Sequence, residues 1–365
     1  MKIKEVTGCI ESLAPIHLQE DYDNAGLLIG NHEEECTGIM VSLDVTEQVV
    51  EEARKRNCNL IVAHHPIIFK GLKKLNGKNY VERTVISAIK NSIAVYAVHT
   101  NLDNIIKGVN KKIAEKLNLQ NCKTLFPKEG TLKKLVTFSP RENADQVRNA
   151  LFKSGAGAIG NYSECSFNVE GTGTFKAKEG SDPYVGKIGV RHLENETRIE
   201  VVFPAFLQNQ LIKNLKLAHP YEEVAYYINT LDNSRDDVGS GLIGELTAEI
   251  SEEELLKTLK ERFNLSVIKH TQFLHKKIKK IALCGGAGFF LLPHAIAAGA
   301  QVYITGDVKY HEFFDADSSI LLADIGHYES EQFTIDLVAE FLQQKFPNFA
   351  VLKTEMNTNP VIYYT

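Results

Sequence analysis

The chain has 365 residues, 44% of them hydrophobic and 24% charged, with a formal net charge of −5. That length allows two domains and a full core, and the negative balance argues against a sequence-independent nucleic-acid binder, which presents a strongly basic surface. The amino terminus lacks a signal peptide's apolar core, no apolar run reaches membrane-spanning length, and six scattered cysteines without a CxxC pair suit reduced thiols in the cytoplasm.

After an opening helix, Asp23 and Asn24 are turn formers ahead of a short strand between Gly26 and Gly30. The run 37–44 predicts a strand ending on Asp44. Thr46 caps a helix through Lys55, with Glu47 in the first turn, where the helix dipole favours negative charge. Leu60–Ile61–Val62–Ala63 predicts a strand buried on both faces. It delivers His64 and His65, and Pro66 then forbids a helix. A helix over 78–91 leads to a strand over 93–98, followed by His99, Asn101 and Asp103. Strands alternate with helices three times, the pattern of parallel βαβ units.

From about residue 135 the order changes. Strands are predicted at 135–138, 166–171, 199–203 and 224–228, with helices at 144–153 and 206–217. This is the βαββαβ order of a ferredoxin-like module, and an extended polar loop is expected from Gly171 to Pro183. Gly239–Gly244 marks a second boundary. The first pattern then resumes, with a helix at 252–262 and strands at 280–284, 302–307 and 320–324. A helix over 331–345 closes it. Gly285–Gly288 reads as a tight turn, because its spacing fails the dinucleotide fingerprint and no P-loop lysine follows. The expected fold is α/β: a mostly parallel sheet domain built from both chain halves, 1–127 and 238–365, with a ferredoxin-like module at 128–237.

Acids and imidazoles collect just past the predicted strand ends, where function gathers in open α/β sheets. They are His64 and His65, His99 and Asp103, Asp307 and His311, His327 and Glu331. His327 and Glu331 share one helix face. Imidazoles and carboxylates without thiolate suit zinc, manganese or iron. Asp307 and His311 are candidates for orienting a ligand or moving a proton. Each residue also has a plainer reading: His99 bonded to a backbone carbonyl, Asp103 in an Asx turn, His327 and Glu331 as a surface pair.

Several strings carry a resemblance. Asp23–Asn24–x–Gly26–Leu27–x–x–Gly30, Ser42–Leu43–Asp44–x–Thr46, His64–His65–Pro66, His99–Thr100–Asn101–Leu102–Asp103, Thr305–Gly306–Asp307–x–x–Tyr310–His311 and Gly326–His327–x–x–x–Glu331 resemble the signatures of the GTP cyclohydrolase 1 type 2 homologue family, also called NIF-three-like proteins. The insert, through Gly171–Thr172–Gly173–Thr174–Phe175 and His219–Pro220–Tyr221–Glu222–Glu223, is similar to the CutA/PII-like module of longer members. The resemblance implies a dinuclear divalent-metal centre held by His64, His65, Asp103, His327 and Glu331. It also implies a homohexamer, a trimer of dimers, with the insert as trimerising element.

Two functions follow. One is a metal-dependent hydrolase of a nucleotide or phosphoester, cyclohydrolase-like by resemblance, acting on a small molecule. The other is a non-enzymatic metal-binding or regulatory ring that senses a small ligand through the insert. A hydrolase needs an open coordination position, whereas a storage site fills every one.

Overall fold

A computed structural model describes residues 1–364. The chain forms two compact units, one of residues 1–127 together with the chain from Asp236 onward, the other of Lys128–Arg235. The first part of the larger unit supplies β1 (Gly26–Ile29), β2 (Ile39–Ser42), β3 (Leu60–Ala63), β4 (Ala94–Ala97) and β5 (Gln120–Pro127). The smaller unit holds β6 (Leu132–Pro140), β7 (Phe167–Lys176), β8 (Arg191–Pro204) and β9 (Tyr226–Thr230). The larger unit resumes with β10 (Gly239–Ile250), β11 (Lys269–His270), β12 (Ile278–Leu283), β13 (Val302–Thr305), β14 (Leu321–Asp324) and β15 (Val351–Lys353).

The larger unit contains two sheets rather than the single mostly parallel one expected. The first has the order β1-β4-β3-β2-β15 and is parallel except at β1. The second has the order β11-β14-β13-β12-β10-β5, parallel only across β12, β13 and β14. Gly239–Gly244, expected as a boundary, lies just past the division between the units at Asp236 and is the start of β10, which pairs antiparallel with both β5 and β12. At Gly241, with φ of +67°, a Cβ would sit 3.1 Å from the Leu283 carbonyl. Glycine here admits close approach of the neighbouring backbone and a left-handed conformation.

Both sheets are covered on both faces at their centres, which is why β2, β3, β4, β13 and β14 read as nearly unbroken apolar runs. Ile39, Val41, Leu60 and Val62 of the first sheet share one core with Ile281, Leu283, Val302 and Ile304 of the second, and with helices that include Ile3–Leu13 and Thr334–Lys345. The alternate residues Met40, Ile61 and Val95 pack on Val49, Val50 and Val85 of the helices Glu47–Lys55 and Tyr80–Lys90. On the far side of the second sheet, Ala282, Tyr303 and Leu322 meet Leu291, Leu292 and Ala295. Thr46 caps its helix as expected, accepting a hydrogen bond from the Val49 amide at 3.2 Å, worth roughly 1 kcal/mol. The helix expected over 331–345 is two helices, His327–Glu331 and Thr334–Lys345.

In the smaller unit the chain order is strand, helix, strand, strand, helix, strand, and the antiparallel sheet runs β7-β8-β6-β9. Leu135, Ile199, Val201 and Phe203 pack on Val147, Leu151, Leu211 and Leu215 of the helices Ala144–Lys153 and Gln208–Ala218. The extended polar loop expected from Gly171 begins instead as β7, paired with β8 through Lys176. Exposed on most of its length, β7 lacks the apolar alternation that marks a strand in sequence. Among the described residues, no helix is long and apolar enough to cross a membrane.

Candidate metal centre

Five strand ends of the two sheets deliver the site. His64 and His65 follow β3, His99 and the short helix Thr100–Asp103 follow β4, Gly285 and Gly286 follow β12, Asp307 follows β13, and the helix His327–Glu331 follows β14. Glu331 is its centre. Its Oε2 lies 2.9 Å from His65 Nε2 and 3.1 Å from His327 Nε2. Its Oε1 lies 3.7 Å from His64 Nε2, which is also 3.7 Å from Asp103 Oδ1. The donors fall into two sets around one carboxylate, His65–His327–Glu331 and His64–Asp103–Glu331, each compact enough to hold a metal ion.

The imidazoles are each oriented from behind. The Nδ1 atoms of His64, His65 and His327 face the Val98 carbonyl at 2.9 Å, Asp44 Oδ1 at 2.8 Å and Asp307 Oδ2 at 2.7 Å. These oxygens only accept, so each Nδ1 donates and each Nε2 is turned toward the cluster, the arrangement metal-binding histidines use. Asp307 reaches His327 from a left-handed backbone, φ +57°, a conformation aspartate adopts more readily than most residues. Opposite, Gly286 has φ of +63°, and a Cβ on it would lie 2.3 Å from Glu331 Oε1. The tight turn expected at Gly285–Gly288 therefore also makes room for the carboxylate.

Within the cluster, two buried donor atoms have no hydrogen-bond partner, His64 Nε2 and Asp103 Oδ1. Such orphans cost about 1–3 kcal/mol each and fit the donor side of a cation site. The electrostatics agree. Burial, reinforced by the charge of Glu331, pushes the Asp103 carboxyl well above its ordinary range. Burial also pushes Glu331 up, but the His64, His327 and His65 imidazoles outweigh it and hold that carboxyl low. Burial lowers His64. It also opposes charge on His65 and His327, yet bonds to Asp44 and Glu331 hold His65 up at about 10. Glu331 and Asp307 hold His327 at about 9. Without metal, protons neutralise the charge that a cation would neutralise.

His99 departs from the plain reading. Its Nδ1 bonds to Asp23 Oδ1 at 2.8 Å and not to a backbone carbonyl, and its ring is grouped with His64 and His65. Asp23 also accepts from the Thr100 amide and hydroxyl, and with His99 these bonds outweigh burial and bring it to about 2. His311 does not join the cluster. It is exposed in the 3₁₀ segment Tyr310–Ala316, with its ring against Tyr310 and Phe314. Sequence reasoning gave no site role to Asp23 or Asp44, although both are acids in the turn and strand-end strings quoted above. It also missed Gly286, whose signal is a glycine pair past a strand.

Comparison with known proteins follows the same lines. The chain is 37% identical over 358 residues to the GTP cyclohydrolase 1 type 2 homolog of Halalkalibacterium halodurans, covering 97% of this chain and 96% of that protein. It is 36% identical over 366 residues to the protein of that name from Bacillus subtilis, covering 99% and 98%. The crystal structure of a Bacillus cereus protein related to NIF3 superposes with a TM-score of 0.82 at 37% identity, covering 100% of this chain and 99% of the other. The family model described as Duf34/NIF3 (NGG1p interacting factor 3) matches residues 1–360. The chain belongs to the Duf34/NIF3 family.

Proposed function

We propose that the larger unit is a dinuclear metal-dependent hydrolase acting on a nucleotide or phosphoester. The observation that carries this is Glu331, one carboxylate whose two oxygens face two different donor sets. His64, Asp103 and Glu331 would hold one ion, and His65, His327 and Glu331 the other. Zinc, manganese and iron all suit these donors. A divalent pair bound there would supply Lewis acidity and lower the pKa of water. The chain's own part is to orient: the Val98 carbonyl, Asp44 and Asp307 fix the three imidazoles, and Gly286 leaves Glu331 its place. The proton-transfer role expected of His311 has no support from its position.

The name shared by the Halalkalibacterium and Bacillus relatives favours a purine nucleotide among possible substrates. The chain order and antiparallel sheet of the smaller unit support the ferredoxin-like, CutA/PII-like reading. Exposed Phe167, Val169 and Leu193 on β7 and β8 are consistent with self-association into the expected homohexamer, for which light scattering is the check. The functional test is to incubate protein carrying both ions with a panel of nucleotides, cyclic nucleotides and simple phosphoesters, and to read products by chromatography. Turnover that disappears on chelation and returns with metal is expected. A fully loaded protein that turns over none of them would sink the hydrolase and leave the metal-binding scaffold.

A further inference from the structure

The chain does not end its work at β15. Thr354 donates its amide to the Val41 carbonyl at 3.0 Å, and the Glu355 amide reaches the buried Glu52 carboxylate at 3.0 Å. These bonds pin the segment that follows along the first sheet. Asn357–Thr358–Asn359–Pro360 then passes behind the metal centre. The Thr358 hydroxyl donates to Asp44 Oδ2 at 2.8 Å, and Asp44 Oδ1 holds His65. The next residue reaches the other half of the site: Asn359 Nδ2 donates to Glu329 Oε1 at 3.0 Å. Glu329 lies in the helix His327–Glu331, between the two donors that helix supplies. Asn359 is itself fixed, its amide donating to Asn357 Oδ1 and its own Oδ1 accepting from the Val361 amide, both at 3.0 Å.

We propose that Thr358 and Asn359 form a clamp that sets the spacing between His65, from the first sheet, and His327 with Glu331, from the second. Both are positioning residues acting through Asp44 and Glu329, and the proposal rests on the dinuclear reading above. The physical reason is that a flexible pair of half-sites binds an ion only after ordering, whereas a pre-spaced pair does not bear that cost. Groups bonded directly to metal ligands typically change affinity by about 10–100-fold when removed, and Thr358 and Asn359 act one bond further out, so their effect falls at or below the low end of that range. The clamp bonds to Asp44 behind His65 and to Glu329 in the helix of His327, and has no bond to His64 or Asp103, so it bears most on the His65–His327 position.

The test is competition of the full chain against a chromophoric chelator for zinc, with cobalt absorption spectra to separate the two positions. Thr358→Val and Asn359→Ala should each weaken the ion at the His65–His327 position more than the other, by up to about 10-fold, the low end of the effect of a direct ligand partner. Thr358→Ser keeps the donor and should restore both wild-type affinity and the cobalt spectrum. Wild-type affinity at both positions in Thr358→Val and Asn359→Ala would overturn the clamp. So would equal loss at both positions in Thr358→Ser and Thr358→Val, with a lowered melting temperature in the metal-free protein, which marks a merely structural role. Failure of the dinuclear reading looks different: the wild-type protein itself would bind fewer than two ions, and the clamp would fall with it.

Discussion

The two donor sets around Glu331 share a carboxylate and little else. The inner set is the more enclosed at its donor atoms: His64 Nε2 and Asp103 Oδ1 are both buried and meet no partner, although the Asp103 side chain as a whole is 25% exposed. The outer set is open: the His327 side chain is 36% exposed, and His65 and His327 are each backed by an acid, Asp44 and Asp307. An enclosed donor set suits an ion held for structure, and an open one suits an ion with a vacant position for substrate. The contrast gives the two proposed ions different jobs.

The largest expected effect comes from the shared group. Glu331→Gln should remove both ions and all metal-dependent turnover, measured by elemental analysis and product chromatography. Retention of one ion would mean that the two sets do not share Glu331. Next, His64→Ala and His327→Ala should separate the sets: each loses one ion, and only His327→Ala leaves the slowly released inner ion behind on dialysis against chelator. Equal release rates in the two variants would erase the contrast. Asp307→Asn keeps the shape and removes the charge behind His327, and should weaken the outer ion by about 10–100-fold. The smallest effect belongs to His311→Ala, which should change turnover by less than about twofold. A loss of about 10²–10⁴-fold would restore it as a proton carrier.

Acidity sharpens the contrast without mutation. His65 and His327 are held at about 10 and about 9, both above the ordinary 6.5. A folded-state pKa above the unfolded one adds stability that is full below the unfolded value and lost as pH rises through the folded one. Metal-free protein should therefore melt at progressively lower temperature as pH rises from about 6.5 through about 9 to about 10. Loaded protein, whose imidazoles are already neutral, should show little of this trend. Proton release on zinc addition at neutral pH is the companion observation. A flat melting profile for the metal-free protein would contradict the assignment of these two protons.

Much of this was readable in advance, and the exceptions have causes. The helices Ala144–Lys153 and Glu252–Phe263 were legible because polar starts and apolar periodicity agree. The clustering of His64, His65, Asp103, His327 and Glu331 was legible because each lies in the segment just past a strand buried on both faces. What was not legible depends on distance along the chain. Asp44 lies behind His65 only because β2 and β3 are paired, and Thr358 reaches Asp44 only because β15 joins that sheet. No local pattern announces such contacts. β10 was hidden because its glycines serve close packing, and the second half of β7, past the strand expected over 166–171, because few of its residues are buried.

The measurement that tests the central claim most directly is electron paramagnetic resonance of the protein loaded with manganese(II). If Glu331 bridges two ions, the spectrum should show an exchange-coupled pair, with hyperfine lines at about half the spacing of an isolated ion, and Glu331→Gln should abolish it. A six-line spectrum of isolated manganese at full loading would contradict a shared carboxylate.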